Sequence, residues 1–249
     1  MIRIRMAAAI VAALVTVSTN GYGASLKQIR QLPWTDDSAT SLAVALPDKS
    51  AVTQFIRDLL NHSDQFEFAN VGEYQFVDLE RSGILSLVCT LDFGGRSLHT
   101  MILVVTKRGN EFIRDQVESN GWEIDALEQR IVDLRNDGYK EVLVTRLDGQ
   151  YRGARPTPTF TDVFKVEGGR LVKADHEFPE YYERTVLPDL RKKLDGLVKQ
   201  QPSQDPLAEN NRQKEIATLQ HQIAAVFAIV HRPRNFGPKA SKNPPEDGG

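Results

Sequence analysis

Apolar and polar residues alternate along the middle of the chain, between Tyr74 and Asp175, with the period of about two that is typical of strands. Runs rich in β-branched and aromatic residues are separated there by turn residues. The runs are YQFVDL, ILSLVCTL, LHTMILVVT, EFIRDQV, RIVDL, EVLVTRL, TFTDVFKV and RLVKA. Because no helical segment separates successive runs, the pattern predicts antiparallel sheet in which consecutive strands pair.

Helical spacing of apolar residues occurs before and after this region. A short amphipathic helix is predicted to begin with Ser50 as its N-cap. Two further helices are predicted after the strands, one over 184–199 and one from about 207 to 230. Pro188 fits only near the beginning of the first of these, because proline lacks the N–H group that a helix interior requires.

The strand region repeats itself at a spacing of 55 residues. VDLERSGILSLVCT, which begins at Val77, aligns with VDLRNDGYKEVLVT, which begins at Val132. The identical pairs are Val77 and Val132, Asp78 and Asp133, Leu79 and Leu134, Gly83 and Gly138, Thr90 and Thr145, and Gly94 and Gly149. We interpret the repeat as two copies of one four-stranded unit; chance similarity between two strand–turn–strand segments is the alternative.

The first 23 residues have the order of an export signal. Arg3 and Arg5 precede an apolar run over 6–17, and small residues follow it. The run is shorter than the roughly 20 residues that cross a bilayer. We therefore expect cleavage after Gly23, no transmembrane span in the mature chain, and a location in the periplasm or outside the cell. An uncleaved membrane anchor is the alternative.

Charge and cysteine content exclude two classes of function. Removal of the signal leaves 29 basic and 33 acidic residues. A mildly acidic chain lacks the basic face that releases counterions from phosphates, so we expect no nucleic-acid partner. Cys89 is the single cysteine, which excludes an intramolecular disulfide. Its apolar neighbours favour a buried, unreactive thiol over a catalytic one.

VDLRNDGYKEVLV, at residues 132–144, resembles the repeat of bacterial exported FG-GAP or VCBS-type proteins, in which a strand leads into an aspartate-rich loop closed by glycine. FKVEGGRLVKAD followed by FPEYY resembles the end of such a unit, so the resemblance covers residues 74–182. It implies blades of a β-propeller and a loop that commonly holds calcium. Propellers close with about four or more blades. With two units, we expect a two-unit sheet or an open sandwich backed by helices.

These observations together predict an α+β fold, mainly antiparallel β, with two blade-like four-stranded repeat units, a short N-terminal helix and two C-terminal helices. The predicted divisions are a signal peptide at 1–23, an N-terminal segment with one helix at 24–73, a β-repeat core at 74–182, C-terminal helices at 183–231 and a tail at 232–249. The tail is rich in proline and glycine, which predicts disorder.

The calcium prediction depends on the oxygen ligands of the second copy. Calcium takes about six to eight oxygens, and loop positions one, three, five, seven and nine supply them. These positions hold Asp133, Arg135, Asp137, the carbonyl of Tyr139, and Glu141, so Asp133, Asp137 and Glu141 are the candidate ligands. Arg135 either turns outward or replaces the metal by pairing with Asp133 or Glu141. The alternative is a glycine turn in which the aspartate accepts backbone N–H groups.

A second candidate site lies in the stretch ADHEFPEYYE around His176. A histidine among carboxylates suits acid–base chemistry near neutral pH; the alternative is a polar connection whose rings anchor the following helix. The sequence contains no HExxH, GxSxG or phosphate-loop motif. The arginine-bearing loop at 151–158 is either a receptor for an anion or a solvated connection.

Two functional hypotheses follow. The favoured one is an exported, non-catalytic module for binding or envelope assembly, with a protein or envelope partner and no cofactor other than calcium. The other is a small extracytoplasmic hydrolase with a site near His176. Self-association through the last helix, at 207–231, is a further expectation.

Overall fold

The computed structural model describes residues 22–60, 69–93, 100–119, 126–147 and 159–232. Residues 1–21 of the signal peptide predicted at 1–23, the loop at 151–158 and the tail from 233 onward lie outside the described residues. The described helices are α1 (Tyr22–Gln31), α2 (Ala39–Ala45), α3 (Lys49–Leu59), α4 (Leu127–Arg130), α5 (Pro179–Tyr181), α6 (Leu187–Val198) and α7 (Pro206–Val230). The strands are β1 (Asn70–Val77), β2 (Ser86–Asp92), β3 (Thr100–Arg108), β4 (Glu111–Ser119), β5 (Ile131–Val132), β6 (Glu141–Leu147), β7 (Thr159–Glu167) and β8 (Arg170–Lys173).

The strands form two four-stranded antiparallel sheets, and each follows the order of the sequence. Sheet 1 contains β1 to β4, and sheet 2 contains β5 to β8. The predicted α+β fold with antiparallel strands is therefore confirmed. Within the described ranges, the strands close into neither a barrel nor a propeller.

The proportions differ from the prediction, because helical residues outnumber strand residues in the described chain. Helices α1 and α2 are additional to the one helix that was predicted for the N-terminal segment. Their stability comes from packing, since Ile29 of α1 and Leu42 of α2 are fully buried against sheet 1. Helix α3 is capped by Asp48, whose carboxylate accepts the N–H of Ala51 at 2.8 Å, so the expected cap at Ser50 is wrong.

Four layers stack on one another: helices α1 to α3, sheet 1, sheet 2, and helices α5 to α7. Alternation along β2 places Leu87 and Cys89 under the N-terminal helices and Val88 between the sheets. The outer face of sheet 2 buries Val163 against Tyr182. Cys89 is fully buried, as predicted, and burial raises the pKa of its thiol to about 12, so that the thiol stays protonated at neutral pH.

The two sheets share one register at the start of each unit. Val77 of β1 pairs with Ser86 of β2, and Val132 of β5 pairs with Glu141 of β6, each residue lying 55 positions after its counterpart. The hairpin between β3 and β4 turns at Gly109–Asn110, and that between β7 and β8 turns at Gly168–Gly169, 59 positions later. The connection between β6 and β7 is thus four residues longer than that between β2 and β3.

The helix around Pro188 begins earlier than the sequence suggests. Helix α5, a π-helical turn (Tyr182–Val186) and α6 follow one another without a break. Proline removes one helical hydrogen bond to the preceding turn, and a wider π turn accommodates that loss. The expectation that Pro188 stands near a helix beginning holds for α6, but the helical course starts at Pro179.

Candidate functional site

The aspartate-rich loops of the two units are the first candidate site. Loop 1 comprises residues 78–83 and follows β1; loop 2 comprises residues 133–138 and follows β5. Positive φ angles occur at equivalent positions, 51° at Arg81 and 56° at Asn136, and 74° at Gly83 and 90° at Gly138. The loops therefore have the same backbone course, although their sequences differ between the aspartate and the glycine.

The first aspartate of each loop holds that course. In loop 1, Asp78 Oδ1 accepts the N–H groups of Glu80 at 3.2 Å and Ser82 at 3.1 Å, and Oδ2 accepts that of Gly83 at 2.6 Å. In loop 2, Asp133 accepts N–H groups in the same way. Its Oδ1 takes that of Asp137 at 3.0 Å, and its Oδ2 takes that of Gly138 at 2.8 Å. The predicted aspartate turn is thus present in both loops.

Two carboxylates in and beside loop 2 have pKa values that are shifted in opposite directions. Partial burial opposes ionisation of Asp133, but backbone N–H groups, first that of Gly138, outweigh it and lower its pKa. Burial raises the pKa of Glu141, and the charges of Asp137 and Asp133 raise it further. Glu141 is buried, and its Oε2 accepts the N–H of Leu134 at 3.0 Å.

Arg135 points away from the candidate calcium ligands. Its Nη2 donates to the backbone carbonyl of Glu177 at 2.9 Å and lies 3.7 Å from that residue's carboxylate. Its guanidinium also lies 4.4 Å from the ring centre of Phe178. Of the two alternatives for Arg135, the outward position is the one adopted, in place of an ion pair with Asp133 or Glu141.

The carboxylates of loop 2 do not form a recognisable metal cage. Asp133 and Asp137 turn oxygens to backbone N–H groups of their own loop, the latter to that of Tyr139 at 3.0 Å. Glu141 is directed toward Leu134. Over the described ranges, no group of three His, Cys, Asp or Glu side chains is arranged to hold a metal ion. Calcium at Asp133, Asp137 and Glu141 stays a prediction.

The two loops are also joined to each other. Arg81 of loop 1 donates to the carbonyl of Asp137 in loop 2 at 2.9 Å. The N–H of Lys140 donates to the carbonyl of Leu79 at 3.1 Å. The two loops thereby connect the two sheets along one edge.

Glu80 adds a second connection between the sheets. Its Oε2 pairs with Arg108 at 2.6 Å in sheet 1, and its Oε1 accepts the N–H of Gly168 at 2.7 Å in the hairpin of sheet 2. Neither Glu80 nor Arg81 was singled out from the sequence for this role. The available signal was that the two copies differ at these positions, where loop 2 has Arg135 and Asn136.

His176 lies beside a cavity of about 510 Å³. The cavity is lined by Lys173, Asp175, His176, Ala228, Ile229 and Arg232. One carboxylate, that of Asp175, reaches it, whereas Glu177 turns to Lys165 at 2.5 Å. The candidate acid–base group of ADHEFPEYYE is therefore assembled only in part.

Asp175 is occupied by structural contacts. Its Oδ1 accepts the N–H of Val163 at 2.6 Å and the hydroxyl of Tyr182 at 2.8 Å, while its Oδ2 pairs with Lys173 at 3.1 Å. Tyr182 is fully buried, and burial together with the charge of Asp175 raises its pKa. These contacts fasten the C-terminal helices to sheet 2, as expected for an anchoring ring.

Two buried charges were not anticipated from the sequence. Asp162 is almost fully buried and pairs with Arg146 and, at 2.9 Å, with Lys173. Lys107 is buried too, and its ammonium donates to the carbonyls of Arg30 at 2.5 Å and Leu32 at 2.6 Å, which fastens the end of α1. A charged residue at an inward-facing strand position was the signal in both cases.

Searches against protein-family models, curated proteins and solved structures found no match. In the part of the chain that the structure describes, no helix has both the length and the apolar character needed to span a membrane.

Proposed function

We propose that this protein is an exported, non-catalytic module for binding or envelope assembly, built on two blade-like units of the FG-GAP type. One observation carries the proposal: the loop carboxylates hold backbone N–H groups and join the two sheets. Such groups build a rigid scaffold whose exposed rim is available to a partner.

Three features support the blade-like interpretation. The units share strand register, positive-φ positions and the bonding of the first aspartate. Their sheets pack face to face, as neighbouring blades do. Helices cover the outer faces of both sheets, whereas the rim that carries the loops presents exposed residues such as Tyr139 to a partner.

Calcium is the cofactor that we propose for this rim, at loop 2 in preference to loop 1. Loop 2 carries Asp133 and Asp137, Glu141 follows it at the start of β6, and Arg135 is drawn away toward Glu177. Affinity for calcium rises with the number of ligand charges.

The proposal is tested by site-specific photo-cross-linking in cells that make the full chain. Tyr139 is 49% exposed at the end of loop 2, and Val44 is 65% exposed on α2 and serves as the matched control. A cross-linking amino acid at Tyr139 is expected to capture a protein or envelope component, and one at Val44 is not. Capture at neither position, or equal capture at both, would contradict a partner at the rim.

The second candidate function is a small extracytoplasmic hydrolase. It is favoured by the cavity that His176 shares with Asp175 and Lys173. If it is correct, a panel of ester, phosphoester and peptide substrates reveals a turnover that His176→Ala abolishes. A turnover that survives His176→Ala, or none across the panel, removes this candidate.

A further inference from the structure

The hairpin of α6 and α7 extends away from the sheets. In α6 the buried side chain is Leu187, at its first position. In α7 the buried side chains all lie in the second half, from Thr218 to Val226. Val198 and Leu207, at the opposite end of the hairpin, are 58% and 67% exposed. They are two of the four large apolar side chains with the greatest exposure in the described chain.

The far end of the hairpin is nevertheless held in one conformation. Arg212 donates to the carbonyl of Leu197 at 2.9 Å, which ties α7 to the end of α6. Glu209 pairs with Arg212 at 2.6 Å and accepts the N–H of Ser203 at 3.0 Å, which ties the connecting turn to α7. A surface that is ordered beforehand loses less conformational entropy when it binds.

Gly196 lies inside α6, where its own chain gives no reason for a glycine. A glycine in a helix interior is destabilising relative to alanine. A Cβ atom added at Gly196 would meet nothing within 4 Å, so no described neighbour needs the space. Glycine does allow another backbone to approach closely. The position therefore suits contact with a chain other than its own.

A groove of about 560 Å³ runs along this part of the hairpin. It is lined by Asp189, Lys192, Lys193, Gly196, Leu197, Gln200 and Glu215. Asp189 and Glu215 lie in the same groove as Lys192 and Lys193, so a second copy can set its ammonium groups against the carboxylates of the first. A two-fold interface requires this property, because the same patch meets itself.

We infer that two copies of this chain associate through this groove, hairpin against hairpin. Two hairpins together supply four helices, the number of a stable antiparallel bundle. The interface includes α6 as well as the last helix, which extends the self-association expected at 207–231. It deepens the proposed assembly role by naming one partner, and it rests on residues distant from the loops.

Sedimentation velocity of the mature full-length chain tests this inference through a charge exchange. One variant carries Lys192→Glu and Lys193→Glu, and the other carries Asp189→Lys and Glu215→Lys. We expect the unaltered chain to dimerise, each variant alone to be monomeric, and the mixture to form heterodimers. Lys27→Glu, at an exposed position of α1, is the control and is expected to leave the dimer intact. A monomeric unaltered chain, or variants that dimerise alone, would overturn the inference.

Gly196→Ala separates association from folding, because the two effects have opposite signs. Alanine raises the melting temperature of the monomer through its helix propensity, and the added methyl group is expected to weaken the dimer at least tenfold. A higher melting temperature with unchanged association would show that the helices do not meet at Gly196. Cross-linking at Tyr139 that persists in the monomeric charge variants would leave the proposed function standing whichever result the hairpin gives.

Discussion

Loop 1 and loop 2 share one backbone conformation, but their side chains contact different neighbours. Asp78 and Asp133 each accept the N–H groups of the loop glycine and of the residue before it, and Gly83 and Gly138 take the same left-handed conformation. Between them, loop 1 uses its side chains to reach sheet 2, whereas Arg135 of loop 2 reaches the C-terminal segment at Glu177. The aspartate and the glycine therefore fix the turn, and the residues between them decide which neighbouring layer the turn is attached to.

The largest expected effect concerns the hairpin between β7 and β8, whose Gly168 N–H is bound by Glu80. A Cβ atom at Gly169, with φ of 81°, would lie 3.1 Å from Thr106 and 3.2 Å from Ile113, both stiff β-branched residues of sheet 1. Positive φ and overpacking together predict that Gly169→Ala loses about 2–4 kcal/mol of unfolding free energy. The control is Gly168→Ala, with φ of 61° and open space, for which about 1–2 kcal/mol is expected. Equal losses in urea titrations would contradict the close packing of this hairpin on sheet 1.

The next effect compares the glycines of the two loops directly. Gly138→Ala would place a Cβ atom 3.0 Å from Arg81 Cδ, so that the arginine must move and weaken its hydrogen bond to Asp137. We expect a loss of about 2–3 kcal/mol for Gly138→Ala and about 1–2 kcal/mol for Gly83→Ala, which meets no neighbour. In an Arg81→Ala background the two losses become equal. A persistent difference there would mean that loop contact is not its cause.

The third prediction concerns the pH dependence of stability, to which Asp133 and Glu141 contribute with opposite signs. The raised pKa of Glu141 means that the folded state holds its proton more strongly than the unfolded state, so stability falls as pH rises above about 4.5. The lowered pKa of Asp133 has the opposite sign, and its contribution is lost as pH falls below about 3.8. In unfolding curves measured as a function of pH, Glu141→Gln should remove the decrease in stability above about pH 4.5. Asp133→Asn should remove the decrease in stability below about pH 3.8. If the unfolding free energy of both variants depends on pH in the same way as that of the unaltered chain, these assignments are contradicted.

The smallest expected effect is that of calcium. A ligand that binds only the folded state raises the melting temperature, so calcium should stabilise the chain slightly relative to chelator. Asp137→Asn should abolish the shift, and the loop 1 variant Asp78→Asn should keep it. An absent shift at millimolar calcium would remove the metal from both loops.

The elements that sequence reasoning recovered are those with a local cause. The alternation from Tyr74 onward predicts the strands, and the 55-residue repeat predicts their equivalent turns. The sequence did not predict helices α1 and α2, because their stability comes from packing on sheet 1, which no local pattern indicates. Loop geometry was recovered for the same reason as the strands, since an aspartate followed by a glycine carries its own hydrogen bonds.

The position of Arg135 could not be read from its neighbours in sequence. Its partner Glu177 lies 42 positions away and is brought near by the packing of sheet 2 against the C-terminal helices. The buried ammonium of Lys107 is a similar case, because its acceptors lie in α1, more than 70 residues earlier. Long-range partners of this kind decide the chemistry of a candidate site, and they appear only with the fold.

The four-layer order has a consequence for how the chain is made. Each half of the sequence brings a sheet together with the helices that cover its outer face, α1 to α3 for sheet 1 and α5 to α7 for sheet 2. A chain that leaves the ribosome or crosses a membrane from its N-terminus can complete the first half early. The inner face of sheet 1, with Val88, Ile102 and Val104, then remains exposed to water until the second half of the chain folds against it. We therefore expect the chain to be most prone to aggregation in the interval between the two halves, while this apolar face is exposed.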